Sequence, residues 1–179
     1  MLRRSLNQNR CVFPNQSINS IKFYLYLFIL YFFIFHTALL YAQTRGAEYR
    51  TLDSYLYGRF EARIKPSQGD GMLSSFFTFD DPADPWGEID IELLGLYDHT
   101  VDLNTITTGQ ASHIRQHYIP FNPHLEFHDY GFEWTPEYVA WFIDGEEIFQ
   151  QSGTHITEMD SAQKIMMHIW QPVDRKSVV

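Results

Sequence analysis

The sequence predicts an all-β domain made of two packed antiparallel sheets. Apolar and polar residues alternate over several short segments, and alternation with a period of two is typical of half-buried strands. Clusters of Gly, Pro, Asp and Asn separate these segments, and no segment after residue 42 has a convincing helical period. Many short strands joined by turns are characteristic of a β-sandwich.

The pattern gives eight strands: Tyr57–Lys65, Met72–Phe79, Trp86–Leu94, Val101–Thr107, His128–Trp134, Tyr138–Ile143, Glu146–Gln150 and Lys164–Trp170. Pro66 follows the first strand, and a Pro/Asp loop at Asp80–Pro85 precedes the third. The pair Asp144-Gly145 lies between two alternating runs. It predicts a two-residue hairpin turn, because glycine accepts the positive φ that such turns require.

Residues 1–42 have the composition of an export signal. They contain four basic residues and no acidic residue, and the apolar run Phe23–Leu40 has no charge apart from possible protonation of His36. Ala42 supplies a small residue at the point where a signal peptidase would cut. We therefore predict a signal peptide with an extended leader over residues 1–42. The alternative is an uncleaved membrane anchor, since about 18 apolar residues can just span a bilayer.

Residues 43–173 are predicted to form one domain, and the last six residues do not fit it. Asp174–Val179 can be encoded by GAT CGG AAG AGC GTC GTG, which is a common sequencing-adapter sequence. We expect residues 174–179 to be an artefact of sequencing. We also expect the final strands of the domain to be missing from this sequence.

The predicted domain is strongly acidic. Residues 43–173 contain 21 acidic and seven basic residues, a net charge of −14. This charge argues against nucleic acid and anionic membrane as partners, so the export signal is the only membrane association expected. A neutral polymer as substrate is compatible with this net charge, although an acidic surface that only contacts solvent would give the same composition. The only cysteine, Cys11, lies in the leader, so the exported part is expected to have no disulfide and to be stabilised by its core. We also expect it to be a monomer.

The segment Trp86–Gly95 carries the most specific signal in the chain. If it is a strand, Glu88, Asp90 and Glu92 lie on one face and the intervening apolar residues on the other. Three carboxylates in a row on one face repel one another, which a purely structural role does not explain. The alternatives are an acidic outer face of a sandwich or a calcium-binding strip.

The spacing of the two glutamates is suited to glycosidic bond cleavage. Their Cα atoms lie roughly 13 Å apart along a strand, and side chains that lean together bring the carboxyl groups to about 5 Å. That separation is typical of retaining glycosidases, in which one carboxylate attacks the sugar and the other protonates the leaving oxygen. Asp90, between them, is expected to hydrogen-bond a neighbour and to help keep one glutamate ionised and the other protonated.

The same segment resembles the active-site strand of family-sixteen glycoside hydrolases, in particular the lichenase branch. The resemblance extends from about Gly46 to Pro172, through Gly46–Thr51, Leu73–Phe79, Phe132-Glu-Trp134 and Lys164–Met167 in the family's order. It implies a jelly-roll sandwich in which Glu88 is the nucleophile, Asp90 its helper and Glu92 the general acid/base. The strand has no residue inserted before Glu92. In the family, this uninterrupted form marks lichenases and xyloglucan-active relatives.

The resemblance also implies eight substrate-binding positions. They comprise a pair that contacts glucose hydroxyls, aromatic walls of the cleft, a polar residue near the reactive sugar, a histidine at a position where lichenases commonly have Asn, and a platform at the cleft centre. These are Glu48, Arg50, Phe77, Phe79, Trp86, Asn104, His168 and Trp170. Taken singly, each is explained equally well as a core aromatic or a surface polar group. No cofactor and no metal ligand is predicted, and the family's calcium site is left open.

Two positions depart from lichenases: Gly87 stands where they commonly have Asp, and His168 where they commonly have Asn. We interpret His168 as a sugar contact. The histidines His113, His117, His124 and His128 show no metal-binding spacing and are expected at the surface. The sequence thus predicts a secreted, retaining endo-β-glucanase, most consistent with mixed-linkage 1,3-1,4-β-glucan as substrate. A xyloglucan hydrolase or transglycosylase, and a glycan-binding sandwich without turnover, are the alternatives.

Overall fold

A computed structural model describes residues 22–32, 46–79, 86–107, 109 and 111–171. The predicted Pro/Asp loop at Asp80–Pro85 and the predicted adapter segment Asp174–Val179 lie outside these residues, as does most of the predicted signal peptide. Helix α1 covers 22–32, and its apolar side chains are exposed. Among the described residues, no helix combines the length and apolarity that crossing a membrane requires. Residues 1–43 and 44–179 form two separate units.

The second unit contains two antiparallel sheets. One sheet contains β1 (Ala47–Arg50), β11 (Lys164–Trp170), β3 (Leu73–Phe79), β4 (Glu88–Leu94), β5 (Thr100–Thr107) and β6 (Ala111–Ser112) in that spatial order, and β7 (Arg115–Tyr118) also pairs with β5. The other sheet has the order β10 (Glu146–Ser152), β9 (Tyr138–Ile143), β8 (His128–Trp134) and β2 (Gly58–Ile64). The catalytic-strand candidate, β4, is therefore central in its sheet. The predicted antiparallel sandwich is confirmed.

The core lies between the two sheets and follows the alternation of the sequence. Ile89, Ile91 and Leu93 of β4 face the other sheet, whose Phe132 and Trp141 belong to the same buried cluster. Each large apolar side chain buried there contributes about 1.5–3 kcal/mol by leaving water. Because β4 buries one face in this way, its alternate residues Glu88, Asp90 and Glu92 must face away from the core.

The predicted hairpin is also confirmed. Asp144 and Gly145 have φ values of 50° and 84°, and they connect β9 to β10 with Ile143 paired to Glu146. Both central residues of a type I′ turn need positive φ, which aspartate tolerates and glycine adopts without strain. The turn is also bonded to the neighbouring strand β8, because the Asp144 carboxylate accepts hydrogen bonds from the Asp129 backbone N–H and the His128 ring.

The structure adds elements that the alternation did not predict. Strands β1, β6 and β7 have only four, two and four residues, which is too short for a period of two to be recognised. A single helical turn, α2, covers Thr154–Thr157. The expectation that His124 lies at the surface was wrong. It is buried, and its two ring nitrogens face the backbone oxygens of Pro66 and Tyr97.

Candidate active site

The predicted site residues meet on the face of the larger sheet that points away from the core. Strand pairing places Glu92 opposite Ser75, Ser75 opposite His168, and His168 opposite Glu48. Paired residues in an antiparallel sheet project to the same face. A continuous row of polar side chains therefore crosses four strands from β4 to the edge strand β1.

A second row runs parallel to the first. Asp90 lies opposite Asn104 on one side and opposite Phe77 on the other, and Phe77 lies opposite Met166. In the next row, Glu88 lies opposite Phe79. The structure thus brings the predicted strand residues together on one face: Glu48, Arg50, Phe77, Phe79, Glu88, Asp90, Glu92, Asn104, His168 and Trp170.

Trp86 precedes β4 and reaches the same site through its side chain. Its Nε1 donates a hydrogen bond to Oε2 of Glu88 at 3.1 Å. Its ring packs edge-on against Phe79, with ring centroids 5.3 Å apart. Trp86 was predicted as an aromatic wall. The structure adds a direct contact with the Glu88 carboxylate.

Glu88 is half-buried, and opposing effects act on its ionisation. Burial raises the pKa of its carboxyl group, and the nearby Glu92 charge raises it further. Hydrogen bonds from Asp90 and Trp86 lower that pKa, as does the nearby His168, but the net shift is upward. Donors that bind the charged form favour ionisation. The two hydrogen bonds therefore stabilise a carboxylate that burial alone would protonate more readily.

Asp90 is the most deeply buried carboxyl group of the site, with 4% of its surface exposed. Burial, then the charges of Glu88 and Glu92, hold the pKa of Asp90 well above its usual range. The hydrogen bond with Glu88 raises this pKa, whereas the one from Asn104 lowers it. The raised pKa favours a protonated Asp90, which donates in its hydrogen bond to Glu88. This arrangement relieves the repulsion expected from three adjacent carboxylates.

Asn104 holds Asp90 from the neighbouring strand. Its Oδ1 accepts hydrogen bonds from the Ser112 hydroxyl at 3.0 Å and the His113 backbone N–H at 2.9 Å. Since both donors point at Oδ1, the amide nitrogen must face the other way, where Nδ2 donates to Asp90 Oδ2 at 3.2 Å. Asn104 was predicted as a polar contact near the reactive sugar. In the structure its amide is engaged in orienting Asp90.

At the edge of the larger sheet, the Glu48 carboxylate contacts the side chains of Arg50 and His168. Glu48 accepts a hydrogen bond from Arg50 through one oxygen and contacts His168 Nε2 through the other. These contacts lower the pKa of Glu48, with the His168 hydrogen bond as the main favourable cause. The His168 ring also packs against Phe77, with centroids 4.6 Å apart. A cavity of about 310 Å³ lies here, lined by Gly46, Ala47, Glu48, His168 and Trp170.

Sequence reasoning missed three residues of the site. Ser75 and Asp102 lie directly opposite Glu92 on its two neighbouring strands, and both are buried. Asp102 shares the alternation of Asn104, so the period of two could have identified it. Trp141 contacts the site from the other sheet, since its Nε1 donates to the backbone oxygen of Asp90 at 3.0 Å. No local pattern in the sequence signals that contact.

Comparison with known proteins gives consistent matches. Residues 14–177 match the family described as glycosyl hydrolases family 16. The chain is 40% identical over 127 residues to a xylanase/beta-glucanase of Ruminococcus flavefaciens, a match that covers 70% of this chain and 16% of that protein. It is 38% identical over 126 residues to a beta-glucanase of Bacillus amyloliquefaciens, a match that covers 69% of this chain and 51% of that protein.

A solved structure shows the same fold. The crystal structure of a prokaryotic beta-1,3-1,4-glucanase (lichenase) from a mouse hindgut metagenome has 39% identity and a TM-score of 0.65, covering 72% of this chain and 59% of that one. The chain thus spans about half the length, or less, of the curated relatives named above. The family match over most of the sequence, together with these relatives, shows that the chain belongs to glycosyl hydrolase family 16.

Proposed function

We propose that this protein is a retaining endo-β-glucanase that hydrolyses mixed-linkage 1,3-1,4-β-glucan. The observation that carries the proposal is the placement of Glu88, Asp90 and Glu92 on one cleft face of β4, with Asp90 bonded to Glu88. Two glutamates on the same face of a strand, one before and one after an aspartate, are suited to a double displacement at a sugar carbon. The names of the similar proteins, beta-glucanase and lichenase, favour β-glucan as the substrate class.

Glu88 is proposed as the nucleophile. Two hydrogen bonds, from Trp86 and from Asp90, are directed at its carboxylate and favour its charged form. In the first step an oxygen of Glu88 would bond to the anomeric carbon while the glycosidic bond breaks. Asp90 can keep its hydrogen bond to Glu88 while the negative charge on Glu88 decreases as the bond to the sugar forms. A glycosyl-enzyme with inverted configuration results.

Glu92 is proposed as the general acid/base. It would protonate the leaving glycosidic oxygen in the first step. In the second step it would take a proton from the incoming water, which attacks the anomeric carbon from the face opposite Glu88. The bond between Glu88 and that carbon breaks, the Glu88 carboxylate is released and the original configuration is restored. Ser75 and Asp102 flank Glu92 in the sheet, so its position along the strand is fixed from both sides.

The remaining cleft residues are proposed to bind the polysaccharide. Phe77, Phe79 and Trp86 offer aromatic surfaces on which the apolar faces of sugar rings can stack. Glu48, Arg50 and His168 form a hydrogen-bonded group suited to sugar hydroxyls at one end of the cleft. Trp170, 40% exposed beside this group, would provide a further stacking platform.

The experiment that tests the roles uses azide with an aryl β-glucan oligosaccharide that has a good leaving group. Glu88→Ala should abolish hydrolysis, and azide should restore cleavage as the α-glycosyl azide, because the anion replaces the missing carboxylate. Glu92→Ala should lower kcat/KM on the natural polysaccharide by about 10²–10⁴-fold. With azide it should give the β-glycosyl azide, because the glycosyl-enzyme still forms. If both variants gave the same anomer, the assignment could not stand.

The substrate proposal is tested by product analysis with purified protein. Barley 1,3-1,4-β-glucan should be cut internally, with the β-anomer appearing first by NMR. Preferential cleavage or transfer on xyloglucan would instead support the transglycosylase alternative. Binding of glucan without turnover would support a binding sandwich and contradict the enzymatic proposal.

We further propose that the protein is exported as a monomer after cleavage behind Ala42. The basic start and apolar run of residues 1–42 support this proposal. Expression in a secreting bacterial host should give an extracellular product that starts at Gln43 by N-terminal sequencing. Retention of the whole chain in the membrane fraction would contradict it and favour an anchor.

A further inference from the structure

A side chain of the second sheet bonds to the middle of the catalytic-strand candidate, β4. Trp141 lies on β9, and its indole Nε1 donates to the backbone oxygen of Asp90 at 3.0 Å. None of the Trp141 side chain is exposed, and its ring stacks on Phe149 within the core. The bond therefore crosses the sandwich from the buried layer to the residue between Glu88 and Glu92.

The hydrogen bond between Trp141 and Asp90 constrains the position of the Asp90 backbone more narrowly than apolar packing does. Apolar contacts are non-directional and tolerate small displacements, whereas a hydrogen bond depends steeply on distance and angle. The bond fixes how far the Asp90 backbone lies from β9. Since the Asp90 side chain is bonded to Glu88 and to Asn104, a shift of its backbone changes both contacts. Displacements of about 1 Å at a catalytic group can cost on the order of 100-fold in rate.

The same sheet contains a matched comparison. Trp134 on the adjacent strand β8 is as deeply buried, with 1% of its surface exposed. Its Nε1 has no hydrogen-bond partner among the described residues. A Trp→Phe substitution therefore removes the same atoms at both positions. It removes a hydrogen bond to the catalytic strand only at Trp141.

We propose that Trp141 is a positioning residue that fixes the distance between the Asp90 backbone and β9. Through Asp90 it also determines the ionisation and placement of Glu88. This inference rests on the proposed glucanase function. Trp141 does not reach the cleft itself, because it approaches β4 from the core side. Its effect should therefore appear in the chemical step and its pH dependence and leave substrate binding unchanged.

The experiment compares Trp141→Phe with Trp134→Phe in the full chain. On 1,3-1,4-β-glucan, Trp141→Phe should lower kcat about 10-fold with little change in KM, which is the pattern for a lost transition-state interaction. The acidic limb of its kcat/KM–pH profile should move to higher pH, because a displaced Asp90 donates less well to Glu88. Trp134→Phe should leave kcat and the pH profile unchanged. Equal effects of the two variants on kcat and on the pH profile would overturn the inference.

A second measurement does not depend on activity or on the folding of a Trp141 variant. In the wild-type protein labelled with ¹⁵N-tryptophan, the Trp141 indole N–H should exchange with solvent more slowly than that of Trp134. The Trp141 signal should shift in the Asp90→Asn variant, and the Trp134 signal should stay in place. An unchanged Trp141 signal would contradict the inference. A wild-type protein that cleaves no β-glucan, with this NMR response intact, would refute the proposed function alone.

Discussion

The side-chain amide of Gln163 occupies the space in which a side chain at Gly87 would lie. A Cβ atom built at Gly87 would be 2.3 Å from Gln163 Nε2 and 3.3 Å from Cδ, which no real structure accommodates without movement. Gln163 is itself buried, and neither its side-chain oxygen nor its nitrogen has a hydrogen-bond partner among the described residues. Gly87, where lichenases commonly have Asp, is therefore the residue that leaves room for the Gln163 side chain.

Gly87→Ala should destabilise the protein, and the effect should depend on Gln163. Forcing a methyl group into this contact should cost about 1–3 kcal/mol in the free energy of unfolding. In a Gln163→Ala background the space is open, so the same substitution should cost much less. Urea unfolding of the four variants gives the coupling energy between the two positions. Additive effects would show that the contact does not govern the choice of residue at 87.

The face that carries the three carboxyl groups was predictable from the sequence, whereas the contacts that determine their pKa values were not. The period of two placed Glu88, Asp90 and Glu92 together because one buried face of a strand fixes the other. The partners of Asp90 depend on which residues of β5 and β9 lie beside it. That register is set by pairing between segments 14 and 51 residues away in sequence. The burial of His124 likewise depends on backbone oxygens contributed by distant loops.

Removing the Asp90 donor should shift the pH dependence of catalysis. The hydrogen bond from Asp90 lowers the pKa of Glu88, which burial raises. In Asp90→Ala that pKa should rise further, so the acidic limb of kcat/KM should move to higher pH. Asp90→Asn keeps an N–H donor for Glu88 and an acceptor for Asn104, so its limb should move less and more activity should remain. An unmoved acidic limb in Asp90→Ala would contradict the assigned hydrogen bond.

His168→Ala should weaken substrate binding more than it slows chemistry. His168 contacts one Glu48 oxygen and packs on Phe77, so its loss leaves that oxygen without this partner and opens a gap in the cleft surface. We expect KM for 1,3-1,4-β-glucan to rise about 10-fold, equivalent to about 1.4 kcal/mol, with kcat changed less.

The control for this prediction is His117→Ala. His117 lies on β7 opposite the buried Val101, so it does not share the cleft face with His168. It should leave KM at the wild-type value. A His168→Ala enzyme with wild-type KM would remove His168 from the binding surface.

Glu88→Gln should inactivate the enzyme and make it more stable at neutral pH. The pKa of Glu88 is raised in the folded protein, mainly by burial, so the folded state holds this proton more tightly than the unfolded chain does. Below the pKa of an unfolded glutamate, about 4.3, Glu88 is protonated in both the folded and the unfolded state. Its ionisation then does not lower the free energy of unfolding. As the pH rises through the folded-state pKa, ionisation favours the unfolded chain and the free energy of unfolding falls.

Glutamine cannot ionise, so the gain from Glu88→Gln should be largest at neutral pH and should disappear as the pH falls toward 4. Urea unfolding at a series of pH values measures this difference. Glu126→Gln, which removes one charge from an exposed side chain before β8, is the matched control for the change in net charge. It should show no comparable pH-dependent gain. If Glu88→Gln were less stable than wild type at pH 7 while Glu126→Gln was neutral, the ionised Glu88 would have to be a stabilising group. The upward pKa shift attributed to its burial would then be wrong.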